Sequence, residues 1–121
     1  MNAQNYTQKS LEAIQAAQKL TIENQNQQIE QVHLLSALLQ QDGGLVPQLL
    51  KKMGISVESL DAAVTAEVNK LPRVTGSGRE ADKYYVARAV DTALNSAEDI
   101  AKQMKDEYVS VEHLFLSLIE N

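Results

Sequence analysis

Ile29-Glu-Gln-Val-His33-Leu-Leu-Ser-Ala-Leu-Leu39 recurs without a gap, 80 residues later, as Val109-Ser-Val-Glu-His113-Leu-Phe-Leu-Ser-Leu-Ile119. His33 falls on His113, Leu34 on Leu114 and Leu38 on Leu118. The match continues upstream, with Ala13 on Ala93, Ile14 on Leu94, Ala17 on Ala97 and Leu20 on Ile100. A gapless match across two helices marks an internal duplication. The expected fold is all-α, with two similar halves related by a pseudo-twofold axis and a groove between them.

Around the repeated stretch, apolar residues recur at helical spacing. Leu11, Ile14, Ala17 and Leu20 place a first helix over about 7–23, with Thr7 as its N-cap. The polar run 24–28 is a turn. The second helix carries the first copy of the repeat and stops at Gly43-Gly44. Pro47 opens a third helix that Gly54 ends, and Ser56 caps a fourth with Leu60, Val64, Val68 and Leu71 on one stripe. Pro72, Gly76 and Gly78 break the pattern, so residues 71–81 connect the halves. Asp82 is the expected cap of the fifth helix. Its core stripe runs Val86, Val90, Ala93, Leu94, Ala97, Ile100, Ala101 and Met104. Ser110 caps the sixth helix.

The 121 residues form one domain, with a first repeat at 1–70 and a partial second repeat at 82–121. By analogy with the first half, roughly thirty residues that would complete the second are absent. Part of the last helix's apolar face would then lack its cover, and the domain is expected as a monomer, or as a weak dimer where that face packs on another copy.

A net charge of −5 argues against nucleic acid as a partner, because phosphate contacts need a basic face. There is no cysteine, hence no disulfide framework or thiolate metal site, which fits a cytoplasmic location. No secretory signal and no membrane-spanning run are visible.

Gly76-Ser-Gly78 lacks the Gly-Lys-Ser/Thr ending of a phosphate loop and reads as a linker. His33, His113 and Glu112 are the only conceivable zinc set. Their equivalent positions in the repeats favour a local role instead, each histidine serving the first turn of its own helix. No nucleophile elbow is present. Glu98-Asp99 and Asp106-Glu107 are neighbours in sequence that do not face each other on a helix. A non-catalytic chain with no cofactor of its own is expected.

The repeated Ile-x-x-x-His-Leu-Leu-x-Ala-Leu-Leu helix pair resembles the Clp N-terminal repeat of the AAA+ unfoldases. Thr7, Gly43-Gly44 before Leu49-Leu50, and Asn69-Lys-Leu-Pro-Arg-Val-Thr-Gly-Ser-Gly78 are most similar to the ClpB disaggregase branch. The resemblance implies a flexibly tethered domain that engages unfolded or aggregated polypeptides for threading. It also implies a hexameric parent whose ATP and magnesium sites lie outside this chain, working with a DnaK-type chaperone system. The family's polar set matches Thr7, Asp106 and Glu112 here; Leu94, Ile100, Leu114 and Phe115 are candidate groove walls. Client affinity is expected on the order of micromolar to millimolar.

The alternative is an adaptor-docking domain of the ClpC or ClpA type, or a mobile spacer. In the ClpC type each repeat carries Glu before His. Here Glu112 precedes His113 but Val32 precedes His33, and valine cannot accept hydrogen bonds from a guanidinium group.

Overall fold

Thr7 opens the first helix, its hydroxyl accepting the Ser10 N–H at 3.2 Å. In the computed structural model, which describes residues 2–74 and 85–120, α1 spans Gln8–Glu23 and α2 spans Gln31–Leu39. They are followed by α3 (Leu45–Lys52) and α4 (Val57–Lys70), then α5 (Arg88–Gln103) and α6 (Val111–Glu120). Two short strands, β1 (Gln28–Ile29) and β2 (Tyr85–Val86), pair in parallel. α1 packs on α2 and α5 on α6, while α2 and α6 meet between the halves. α4 covers α2, and α3 touches α6.

The duplication extends to the backbone. Gln25 and Lys105, 80 residues apart, end their turns at φ 58° and 60°. The next N–H reaches back in the same way, Asn26 to Thr21 O at 3.0 Å and Asp106 to Ala101 O at 2.9 Å. The strand links obey the same rule. Thr7 N–H donates to Val109 O at 2.9 Å, and Ala87 N–H donates to Ile29 O at 3.0 Å. Each half thus clips the start of its first helix onto the inter-helix turn of the other half.

Several expected details differ. The buried face of α1 is Ser10, Ala13, Ala17 and Thr21, while Leu11, Ile14 and Leu20 lie half-buried beside it. Small side chains let the helices approach closely, and the hydroxyls are satisfied: Thr21 donates to Ala17 O at 2.8 Å and Ser10 to Val109 O at 2.9 Å. α2 ends at Leu39, before the glycines. Gly43, at φ 64°, turns the chain, and Gly44 is the N-cap of α3, so Pro47 falls inside the first turn, where a missing N–H costs nothing. Ser56 caps α4 as expected.

The fifth helix starts later than its stripe suggested. Its N-cap is Ala87, Val86 belongs to β2, and Met104 is exposed. The expected cap Asp82 lies outside the described residues, as does most of the expected connection. Its first residues are pinned to the α1–α2 turn. Val74 N–H donates to Gln25 O at 2.8 Å, Asn26 Nδ2 to Pro72 O at 3.1 Å, and the Arg73 guanidinium to Asn24 Oδ1 at 2.8 Å.

Candidate functional site

Both histidines are buried and tie a helix start to the turn before it. The Glu30 N–H donates to His33 Nδ1 at 2.9 Å, and His33 Nε2 lies 2.8 Å from Asn26 Oδ1. The Ser110 N–H donates to His113 Nδ1 at 2.8 Å, and His113 Nε2 lies 2.8 Å from Asp106 Oδ2. Because Nδ1 accepts in both cases, the ring proton sits on Nε2 and is donated to residue 26 or 106.

The second copy also places Ser110 Oγ 3.1 Å from His113 Nδ1, so a serine, a histidine and an aspartate converge. Only the geometry of the turn brings the three together. Their chemistry is capping: the Nδ1 lone pair already accepts a backbone N–H, and the first repeat builds the same motif with Glu30 in place of serine. Among the described residues, no group of three or more metal-ligating side chains comes together.

Burial lowers the pKa of His33 from its usual 6.5, with the Glu30 carboxylate pulling the other way. The folded-state pKa therefore lies below the unfolded value. Stability contributed by neutral His33 is full above about pH 6.5 and is lost as pH falls through the folded-state pKa. Urea midpoints should drop over that interval, and a folded His33→Gln variant should lose part of the slope. An identical slope in the variant would remove His33 as the cause.

The seven residues expected at the site do not form one surface. Thr7 N–H donates to Val109 O in the α5–α6 turn, exposed Asp106 lies in that turn with Oδ2 on His113, and Glu112 lies half-buried in the first turn of α6. Leu114 and Phe115 are core residues at 0% and 6% exposure, closed to a polypeptide. Ile100 is half-buried on α5. Leu94 alone lines the open apolar cleft.

That cleft, of about 160 Å³, lies between α1, α5 and the β1–β2 pair. Ile14 and Gln18 come from α1; Val90, Asp91 and Leu94 from α5; Ile29 and Val86 from the strands. Val86, on its rim, is 42% exposed. Helical periodicity alone puts Ile14 and Val90 in the core, with no sign of the cleft. Continuing the 80-residue match upstream to Tyr6 and Val86 is the signal that marks this place. A larger groove of about 460 Å³ between α1 and α2 is lined by charges of both signs, among them Lys19 and Glu23, which pair at 3.8 Å. It reads as a solvated polar face.

Thr7→Ala should cost about 1 kcal/mol through the lost cap. Thermal unfolding checks this, and Thr7→Ser should restore the loss. A Thr7→Ala protein as stable as wild type would show that the hydroxyl does not cap α1.

The Clp repeat (R) N-terminal domain family matches residues 5–121. The chain is 39% identical over 120 residues to the chaperone protein ClpB of Nitratidesulfovibrio vulgaris, covering 99% of this chain and 14% of that protein. The Hsp104 N-terminal domain of Candida albicans superposes with a TM-score of 0.85 at 23% identity, over 96% of this chain and 74% of that one. The N-terminal domain of the ClpV1 ATPase from E. coli EAEC gives 0.85 at 19% identity, over 98% and 69%. The two structural likenesses concern the fold.

Proposed function

The chain belongs to the Clp repeat N-terminal domain family, and from that premise we propose that it engages exposed segments of non-native polypeptides for a ClpB-type chaperone. The observation that carries this reading is the cleft between the repeats. It is open, mainly apolar, and has the partly exposed Val86 on its rim. An open, mainly apolar pocket with a few polar groups at its edge is the default seat for a bound segment. Thr7, Asp106 and Glu112, on and beside the α5–α6 turn, offer a second place for polypeptide contact.

The chain spans a small part of the ClpB chaperone it matches, so threading belongs to modules outside it. Those modules would carry ATP and magnesium, assemble as a hexamer in the cytoplasm and cooperate with a DnaK-type system. Each contact should be weak, on the order of micromolar to millimolar, and copies around a ring would add avidity.

Val86→Asp tests the reading, because a carboxylate at the mouth of the cleft repels an apolar segment while Val86 is exposed enough for the fold to tolerate it. Affinity for a permanently unfolded model protein, followed by fluorescence anisotropy, should fall on the order of tenfold. Unchanged affinity in a folded variant would move the client site away from the cleft.

A further inference from the structure

The pseudo-twofold relation gives the cleft a mate across the axis, with Ile14 and Leu94 exchanged between them, and the mate is full. Tyr6 stands 80 residues before Val86. It pairs with Val109 as Val86 pairs with Ile29. Gln18, on the cleft, corresponds to Glu98, and Ile14 corresponds to Leu94. In the filled copy Tyr6 is 4% exposed, and its hydroxyl donates to Glu98 Oε2 at 3.1 Å. Burial and that carboxylate both push the phenol pKa up, which keeps it protonated as a donor. In the open copy valine replaces tyrosine, and a space of about 160 Å³ remains.

The geometry points to a receptor for one aromatic side chain, a tyrosine above others, presented by an extended polypeptide segment. This deepens the client-engagement reading and rests on it for the segment, though not for the pocket. Size agrees: a cavity of about 150 Å³ walled by aliphatic and aromatic side chains accepts benzene. Chemistry agrees as well. Tyr6 shows how this fold seats a phenol, with the ring inside and the hydroxyl on residue 98. At the open copy Gln18 supplies the equivalent amide oxygen as acceptor, and Asp91 adds a negative edge. That edge complements an O–H donor and disfavours an anion. A phenol therefore fits better than a bare phenyl ring, and phosphotyrosine is rejected, since its phosphate would sit beside Asp91.

The test is a methyl-detected NMR titration of the 121-residue protein with p-cresol, the tyrosine side chain without its backbone. Toluene and 4-methylcyclohexanol serve as comparisons. Saturable shifts are expected at Ile14, Ile29, Val86, Val90 and Leu94, with p-cresol the tightest of the three. Val86→Tyr should fill the cleft with the chain's own ring and weaken p-cresol binding by about tenfold or more. Gln18→Leu should weaken p-cresol and spare toluene, so the two variants report ring and hydroxyl separately. Should Val86→Tyr fail to fold, the wild-type titration alone decides. Non-saturable p-cresol shifts, or shifts centred elsewhere, would overturn the inference. So would an unfolded client without aromatic residues that binds at the cleft as tightly as one rich in tyrosine, and that result would leave client engagement standing. Saturable p-cresol binding with no client binding would retain the pocket and remove the client reading.

Discussion

Leu38→Ala should destabilise the domain by roughly 2–5 kcal/mol. Leu38 is 0% exposed in the core that α2 forms with its neighbours. Removing most of its side chain loses the transfer free energy of those atoms and leaves a cavity that helices packed from two sides cannot close. Ile119, on the second copy of the repeat, is 58% exposed, and Ile119→Ala should stay within about 0.5 kcal/mol. Urea denaturation of the two variants reads the difference directly. Equal losses would mean that the core does not lie where α2 and α6 meet.

The second large effect separates a histidine from its partner. His113→Ala removes the acceptor for the Ser110 N–H and opens a buried cavity, so it should cost roughly 2–4 kcal/mol. Asp106→Asn should cost far less, within about 1 kcal/mol. The first repeat already shows that an asparagine oxygen accepts from the histidine at 2.8 Å in the same geometry. Paired thermal unfolding of the two variants decides. If Asp106→Asn were as damaging as His113→Ala, the aspartate charge, and not the hydrogen bond, would be holding the turn.

The duplication was legible because it is preserved at a fixed spacing, down to the positive φ of Gln25 and Lys105. A periodicity argument needs only apolar residues on one face, and α5 from Val90 to Ala101 satisfied it. The buried face of α1 was not legible in the same way. Ser10 and Thr21 count as polar in any hydropathy reading, and only their bonds to Val109 O and Ala17 O explain their burial.

Val86 was misplaced for a related reason. Its strand partner, Ile29, lies far away in sequence, and two-residue strands leave no alternation to detect. The histidine caps were anticipated in position but not in their partners, because Asn26 and Asp106 reach back from the preceding turn. Thr7, Asp106 and Glu112 entered through resemblance, and the structure gives two of them local duties as well, a cap and a histidine partner. The cleft is open where valine stands at 86, and tyrosine stands buried at the equivalent position 6. That difference acquires meaning only once both residues are known to stand at the same corner of the fold.

The most direct test of the central claim is an NMR titration of the isotopically labelled protein with a permanently unfolded, tyrosine-containing model protein. Shifts should concentrate at Ile14, Val86, Val90 and Leu94 and disappear in a folded Val86→Asp variant. Shifts confined to the polar end around Thr7 and Glu112, or none at millimolar client, would contradict polypeptide capture by the cleft between the repeats.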